Sequence, residues 1–313
     1  LWRSKEEETF RIKNIPIKIN QEGDEEKVID NIGVISFLVV PGSNQIILGC
    51  YTPMKVSQTD SIFPNRQNNE RIDNKYFLNV LEFNPSLLND ESTANHCLLS
   101  VQKIPLSDSP NVISFIDHVV LLGTGRHIYP MIHNGTEWKV QNGALTSIHT
   151  QISFIDVFEK FVWIGDKTQS IICFAFKSSD KNEPKLVPVA IDTQPKQLTA
   201  MKVIDKYTIV VADKFGIITV LRLPDDVIAG SIWRLSYPAE RGVFMPPSGH
   251  LISVASFNVG ETVTSLLKSD FSPSLFYTTL LGQIGSLIPI NNEDDYSSLQ
   301  TAEFLIKQHW QKE

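Results

Sequence analysis

Residues Tyr207–Leu223 read YTIVVADKFGIITVLRL, and this stretch indicates the fold more clearly than any other. A run of β-branched and apolar residues leads into a short turn of small or polar residues, and a second apolar run follows, as in a β-hairpin. The same pattern occurs in four further stretches: Gln45–Val56, Val119–Ile132, Phe161–Phe176 and Phe276–Ile290. The sequence therefore predicts five hairpins.

The spacing of these hairpins favours a repeated unit. From Leu122 to Ile164 the chain advances 42 residues, and from there to Val211 another 47. Both steps match the roughly 40–50 residues of one propeller blade. The longer steps, 74 residues from Leu48 to Leu122 and 69 from Val211 to Leu280, fit one blade plus an insertion. The pattern predicts an all-β, WD40-like β-propeller, an architecture that mostly offers surfaces to other proteins.

The composition indicates a globular chain and argues against two classes of function. The 313 residues carry a formal net charge of −7 at pH 7, with 42% hydrophobic and 20% charged residues. A nucleic-acid-binding protein is expected to present a basic face, whereas no run of Lys or Arg here exceeds two residues. No apolar stretch reaches eighteen residues, so the sequence predicts no membrane-spanning helix.

The organisation expected along the chain has three parts. Residues 1–31 are a strand-containing lead-in, from a preceding propeller or from the first blade. Residues 32–290 are the propeller blades, with insertions near 57–75 and 224–250, where polar residues and prolines interrupt the strand pattern. Residues 291–313 are a helix that is expected to lead into a separate domain, which the resemblance described below implies to be helical.

The helix is predicted from a change of period near the end of the chain. One helical face carries Tyr296, Leu299, Ala302, Leu305, Ile306 and His309. Asp294 or Asp295 is the expected N-cap, and the helix is expected to pack against the last sheet or to lead into a separate domain. Because Leu1–Phe10 lack a starting Met and the apolar segment of a signal peptide, we expect a piece of a longer protein.

The candidate chemical groups form no recognisable catalytic or metal-binding pattern. Cys50, Cys97 and Cys173 lie far apart without a C-x-x-C pair, which favours reduced thiols in the cytosol or nucleus. The seven histidines show no metal-ligand spacing. The phrase Gly123-Thr124-Gly125 lacks the third glycine and the long helix of a dinucleotide loop. We therefore predict no catalytic residue, no cofactor and no metal.

The most distinctive local motif is Asp213-Lys214-Phe215-Gly216, which lies between the two apolar runs of the hairpin quoted first. It predicts a type I turn, in which Asp accepts hydrogen bonds from the backbone and Gly tolerates a left-handed conformation. Asp166-Lys167-Thr168-Gln169 occupies the equivalent place one unit earlier. A structural role is sufficient to explain both turns.

Longer stretches around this turn resemble a known family. Tyr207–Pro224, Val259–Leu266 and Tyr277–Pro289 are similar to the C-terminal propeller region of the Rse1-like family, the large β-propeller subunits of the splicing factor 3b complex. Cys50–Pro53 fits a Y-T-P phrase further upstream in the same family. The motif residues form a first candidate interaction site: Asp213, Lys214, Phe215, Gly216, Gly260, Glu261 and Thr262.

A second candidate is a partner-binding loop that contains Trp233 and Phe244. Trp233 falls where members of the resembled family carry an insertion between blades. The resemblance also implies a seven-bladed ring, of which this chain can hold an incomplete set of blades. In that case we expect an exposed apolar edge that a partner covers in the cell.

The resemblance implies a nuclear, non-catalytic scaffold in pre-mRNA splicing. Members of the family hold the HEAT-repeat large subunit and small companion subunits of the splicing factor 3b complex, within the U2 small nuclear ribonucleoprotein. They support branch-site recognition, while their partners make most of the RNA contacts. That the partners hold the RNA agrees with the acidic net charge of this chain. The resemblance implies no membrane and no small-molecule substrate.

Three alternatives stay open. The wider CPSF A superfamily includes the damaged-DNA-binding large subunit, an adaptor of cullin ubiquitin ligases, and the large subunit of the cleavage-and-polyadenylation complex. A propeller-funnel enzyme could use Asp166 and Asp213, but no histidine lies in register with them. Direct RNA contact would use exposed aromatic residues such as Trp233 and Phe244, and its affinity would fall steeply with added salt.

Overall fold

The structure is a computed structural model that describes residues 2–3, 10–11, 32–55, 72–84, 98–179, 182–228, 249–269, 271–290 and 292–310. The first strands are β1 (Trp2–Arg3), β2 (Phe10–Arg11), β3 (Gly33–Val39), β4 (Gln45–Lys55), β5 (Ile72–Phe83), β6 (Leu98–Leu106), β7 (Pro110–Ile116), β8 (Val119–Thr124), β9 (His127–His133), β10 (Trp138–Val140) and β11 (Thr146–Ser147). The next are β12 (Ile152–Phe158), β13 (Phe161–Asp166), β14 (Ser170–Ser179), β15 (Asn182–Ile191), β16 (Leu198–Asp205), β17 (Thr208–Asp213) and β18 (Ile217–Arg222). The last elements are α1 (Asp225–Ile228), β19 (Gly249–His250), β20 (Ile252–Asn258), β21 (Val263–Lys268), β22 (Leu275–Thr279), β23 (Ile284–Leu287) and α2 (Glu293–Trp310).

The described strands form five sheets of three or more strands, besides the short β1–β2 pair. Sheet 1 has the order β3-β4-β5-β6, and sheet 2 has β7-β8-β9, with β10 and β11 both paired to β9. Sheet 3 runs β12-β13-β14-β15-β19, sheet 4 runs β16-β17-β18-β20, and sheet 5 runs β21-β22-β23. All neighbours are antiparallel except β15 and β19. The prediction of an all-β fold with a C-terminal helix is confirmed to the extent that the described chain is mostly β and ends in a helix, while the seven-bladed propeller stays a prediction.

The chain divides into two compact units. The first unit contains residues 1–196 and 223–251, and within it β7 contacts both β3 and β12. The second unit contains residues 197–222 and 252–313, and within it β16 contacts β21. In each unit, the first strand of a sheet packs against the first strand of the next sheet. This repeated contact is the arrangement expected of propeller blades.

The core of each unit is centred on the second strand of its sheets. Every residue of β8, β13 and β17 is buried, which explains why these strands read as continuous apolar runs rather than alternating ones. Trp163 of β13 is completely buried in the first unit. In the second unit, Val210 of β17 packs in a cluster with Val263 and Leu275 of sheet 5. Burial of these apolar strands against neighbouring sheets stabilises the packing of successive sheets within each unit.

One of the five predicted hairpins is wrong. Gln45–Val56 is expected to contain a turn, but β4 is a single strand that pairs with β5 without interruption from Gln45 to Lys55. Strand β3 pairs with β4 only as far as Tyr51. Pro53 lies beyond this pairing, so β3 does not need a hydrogen bond from the N–H group that proline lacks. The hairpin here consists of β3 and β4, with the turn at residues 41–44. The other four predicted hairpins are confirmed, as β8–β9, β13–β14, β17–β18 and β22–β23.

The two predicted insertions are only partly described. Residues 72–75 of the first one belong to β5, where each pairs with β4, and residues 57–71 lie outside the described part. The second one begins with α1 and ends with β19, while residues 229–248, including Trp233 and Phe244, lie outside the described part. Of the lead-in 1–31, only β1 and β2 are described.

Helix α2 differs from the prediction at its start and in its packing. Asn292, rather than Asp294 or Asp295, is the N-cap, because its Oδ1 accepts a hydrogen bond from the Asp294 N–H at 3.1 Å. Every residue of the helix is exposed, so the first expected alternative, packing against the last sheet, is not observed. The second alternative, that the helix leads into a separate domain, stays a prediction. Within the described residues, neither α1 nor α2 has the length and apolar composition that a membrane-crossing helix requires.

Two strands at sheet edges, β3 and β20, each carry three or more exposed apolar side chains, as expected of an incomplete array. On β3 they are Val34, Ile35, Phe37 and Val39. On β20, where all seven residues are exposed, they are Ile252, Val254 and Phe257. Coverage of these edges by a partner stays a prediction.

Candidate interaction surface in the second unit

The turn between β17 and β18 has the predicted geometry. The Asp213 carboxylate accepts hydrogen bonds at Oδ1 from the backbone N–H of Phe215 at 2.9 Å and of Ile217 at 3.1 Å. The Gly216 N–H donates to the Asp213 carbonyl at 3.1 Å, and Gly216 has a φ of +81°. These bonds fix the backbone, and Lys214 and Phe215 are left at the exposed tip.

The second motif segment, Gly260–Thr262, lies directly against this turn. Thr262 donates from Oγ1 to the Lys214 carbonyl at 2.8 Å, across a separation of 48 residues. A Cβ on Gly216 would lie 2.5 Å from the carbonyl oxygen of Glu261, closer than real atoms approach. The structure therefore brings both halves of the motif together, and only glycine fits at their point of contact.

Glu261 extends the contact to a third turn, between β22 and β23. Its carboxylate accepts hydrogen bonds from Thr279 Oγ1 at 2.7 Å and from Gln283 Nε2 at 2.9 Å. The Leu280 N–H also donates to the Thr262 carbonyl at 2.9 Å. We call the three joined segments, residues 213–216, 260–262 and 279–283, the turn cluster. Sequence reasoning missed residues 279–283 as part of a site, and the resemblance of Tyr277–Pro289 is the only signal that could have indicated them.

The turn cluster is polar inside and apolar outside. Four large apolar side chains on its turns, or just after them, are mostly exposed: Phe215 at 67%, Leu280 at 70%, Leu281 at 79% and Ile284 at 78%. The Lys214 ammonium lies 5.0 Å from the centre of the Phe215 ring. A rigid frame that presents several large apolar groups to solvent is typical of a protein-binding surface.

The equivalent turn of the first unit is closed by polar contacts. Asp166 accepts hydrogen bonds from the N–H groups of Thr150 and Thr168, both at 2.9 Å, and from the Thr150 hydroxyl. Burial opposes ionisation, but the hydrogen bonds from Thr150, Thr168 and Gln169 prevail and hold the pKa of Asp166 below its usual value. A general acid needs the opposite shift, so this geometry favours a structural role.

The two described cysteines, Cys50 and Cys173, are buried in the core. Burial raises the pKa of the Cys50 thiol to about 11, although nearby Lys103 lowers it, and burial raises the pKa of Cys173 well above its usual value. Both are free thiols, whereas Cys97 lies outside the described residues. No three His, Cys, Asp or Glu side chains in the described part of the chain are placed to hold a metal ion.

Comparison with known proteins agrees with this architecture. The family model described as the CPSF A subunit region matches residues 63–312. Splicing factor 3B subunit 3 of Danio rerio is 31% identical over 225 residues, which cover 65% of this chain and 17% of that protein. The pre-mRNA-splicing factor RSE1 of Mycosarcoma maydis is 30% identical over 217 residues, 66% of this chain and 17% of its own length.

A third relative is matched over more of the chain. The pre-mRNA-splicing factor RSE1 of Debaryomyces hansenii is 24% identical over 301 residues, which cover 91% of this chain. The chain spans only 24% of that relative's length. Because the family model matches far more than half of the residues, the chain belongs to the family defined by the CPSF A subunit region.

Proposed function

We propose that this chain is part of a non-catalytic, nuclear scaffold subunit of a splicing factor 3b complex. The observation that carries the proposal is the similarity to proteins named splicing factor 3B subunit 3 and pre-mRNA-splicing factor RSE1. In this role the chain supports branch-site recognition in the U2 small nuclear ribonucleoprotein through protein contacts. A net charge of −7 fits a subunit whose partners hold the RNA.

The proposed partners are the HEAT-repeat large subunit and the small companion subunits of that complex. The turn cluster supports this proposal because its hydrogen-bonded frame needs no rearrangement before binding. Phe215, Leu280, Leu281 and Ile284 supply the apolar contacts, and Lys214 supplies a charge at their edge. Phe215 is the aromatic anchor of this set, and such anchors carry much of the binding energy in protein interfaces.

The proposed architecture is a seven-bladed propeller, to which residues 32–290 contribute the blades formed by sheets 1 to 5. Residues 1–31 lead in from the preceding part, and 291–313 lead on to a helical domain. The exposed apolar side chains of β3 and β20 support this proposal, since further strands or a partner would bury them. The exposed apolar residues of α2, such as Leu299, Ile306 and Trp310, fit a helix that is covered in the whole protein.

The proposal is tested by purifying the full-length protein that carries this chain and identifying its partners by mass spectrometry. We expect stoichiometric subunits of the splicing factor 3b complex. The double variant Phe215→Ser/Leu281→Ser is expected to co-purify with none of these subunits or with only a small fraction of the wild-type amount. Phe271→Ser is the matched control, because Phe271 is fully exposed in the β21–β22 connection, at the opposite end of β22.

The same experiment separates the alternatives. A cullin-type scaffold in the purified material would favour a ubiquitin-ligase adaptor, and cleavage-and-polyadenylation subunits would favour that complex. Recovery of RNA without protein partners, with an affinity that falls steeply as salt is raised, would favour direct RNA binding. Each of these results would contradict the proposed assignment.

A further inference from the structure

A cavity of about 570 Å³ lies within the first unit, between sheet 1 and sheet 2. Its walls come from the β3–β4 turn, the end of β5, the β7–β8 turn and the β9–β10 hairpin. The volume falls within the roughly 300–1,000 Å³ typical of ligand pockets. None of its lining residues belongs to the turn cluster, so it is a separate candidate site.

The cavity is held open by hydrogen bonds that join the two sheets. Trp138 of β10 donates from Nε1 to Gln45 Oε1 of β4 at 2.8 Å. The backbone of Trp138 also exchanges two hydrogen bonds with the Gln102 side chain of β6, at 2.9 and 2.8 Å. The His133 ring packs edge-on against the indole, with centroids 5.0 Å apart. The pocket is therefore preformed, which lowers the cost of binding.

The charge of the residues that line the cavity favours a cation as its ligand. Glu82 is the single Asp or Glu of the lining, its side chain is exposed at the rim, and no Lys or Arg lines the cavity. Half-buried Phe115 and Ile132 supply an apolar wall. The two imidazoles of the lining belong to His118 and His133. Phosphate or another anion would face the Glu82 carboxylate without a fixed counter-charge, and a purely apolar ligand would gain nothing from that carboxylate.

We infer that this cavity binds an arginine side chain from an extended segment of a partner protein. The planar guanidinium pairs with a carboxylate through two parallel hydrogen bonds and also stacks on aromatic faces. Its methylene stem matches the apolar wall of Phe115 and Ile132. His133 Nδ1 accepts the Gly135 N–H at 3.3 Å, so a neutral ring keeps Nε2–H as a donor for a backbone carbonyl of the same segment. A lysine brings the charge without the planar fork and fits less well.

The test is saturation-transfer NMR on the full protein with the capped tripeptide acetyl-Gly-Arg-Gly-amide, since this method detects weak ligands of large proteins. We expect saturable transfer that is strongest at the arginine Cγ and Cδ protons. Glu82→Gln should raise the dissociation constant about tenfold, because it removes a charge-assisted pair. Phe115→Leu should raise it about threefold, because the aromatic face is lost while the apolar bulk remains.

Glu137→Gln is the matched control, since it removes the same charge from the neighbouring β9–β10 loop without altering the lining. It should change the dissociation constant by less than about twofold, as expected for an exposed charge. The inference is overturned if the arginine peptide shows no saturable transfer, or if Glu82→Gln binds it as the wild type does. Equal affinity for acetyl-Gly-Lys-Gly-amide, or competition by inorganic phosphate, would also overturn it.

Discussion

The turns that end β13 in the first unit and β17 in the second share a frame and differ at their tips. Asp166 and Asp213 each accept a hydrogen bond from the N–H two residues further on, at 2.9 Å in both cases. In the first turn, the Thr168 hydroxyl lies 3.1 Å from that of Thr150, which closes the tip with polar contacts. In the second, Phe215 points an exposed ring into solvent. The comparison teaches that turn chemistry fixes the backbone, whereas the tip residue decides what the surface can bind.

The two turns also differ in the residue that adopts a left-handed backbone conformation. Ser170 has a φ of +90°, and its hydroxyl donates to Asp192 Oδ2 at 2.6 Å, which offsets the strain. Gly216 has a φ of +81°, and no side chain could fit there because the Glu261 backbone occupies the space. Gly216 is the fourth residue of its turn, whereas Ser170 directly follows the four residues of the other, so the two turns place their left-handed residue one position apart.

The largest effect is expected from Gly216→Ala. We expect a loss of about 3 kcal/mol in the free energy of unfolding, because a left-handed Ala costs roughly 1–2 kcal/mol and the overlap with Glu261 adds a similar amount. Gly260→Ala is the control, since Gly260 has the same φ of +81° with open space around it. It should cost only about 1 kcal/mol. Urea unfolding measures both, and equal losses would contradict the close approach.

The second prediction exchanges the tip residues. Phe215→Thr gives the second turn the tip of the first, and it should weaken partner binding by about 2 kcal/mol, roughly 30-fold. Stability should change by less than about 0.5 kcal/mol, because the ring is exposed. Thr168→Phe should leave partner binding unchanged. Calorimetric titration with the purified partner subunit measures the affinities, and equal binding by both variants would remove the distinction between the two turns.

Asp166→Asn tests whether the first turn depends on a charged acceptor. We expect a loss of about 1.5 kcal/mol at pH 7, because a carboxylate that accepts several hydrogen bonds is replaced by an amide. The pKa of Asp166 is lowered by folding, so its contribution is complete above the unfolded value near 4 and is lost as pH falls below that. Urea unfolding at pH 7 and pH 3 should show a smaller difference between variant and wild type at the lower pH.

The smallest effect is expected at the joint between the turns of the second unit. Glu261→Gln should cost about 1 kcal/mol, because one of its two acceptor oxygens becomes a donor facing Thr279 or Gln283. Thr279→Val removes one of the donors. A double-mutant cycle on the unfolding free energy should give a loss for the pair that is smaller than the sum. Strict additivity would show that the two residues do not interact.

Local patterns predicted much of the fold because strands and turns are determined by neighbouring residues. The hairpin of β17 and β18 follows from two β-branched runs around Asp213 and Gly216. The prediction of a hairpin over Gln45–Val56 was wrong because both apolar runs belong to the single strand β4, in which Pro53 is tolerated where β4 no longer pairs with β3. The predicted N-cap of α2 was wrong because Asn and Asp are equally good N-cap residues, so the sequence does not distinguish Asn292 from the acidic residues after it.

The candidate site could be predicted only in part, because its contacts are not local. Composition and periodicity place Gly216 in a turn, but they contain no information on the approach of Glu261, which lies 45 residues later in the chain. Only the family resemblance placed the segments of Gly216 and Glu261 in one candidate site. The third segment, with Thr279 and Gln283, and the cavity between sheets 1 and 2 depend on tertiary packing that no local signal reports.

The central claim, that the turn cluster contacts a splicing partner, is tested most directly by site-specific photo-crosslinking. A benzoyl-phenylalanine placed at residue 215 of the full-length protein should cross-link to a subunit of the splicing factor 3b complex. The same group at residue 271, equally accessible at the other end of sheet 5, should not. Cross-links from residue 271 alone, or from neither position while the complex stays assembled, would contradict the claim.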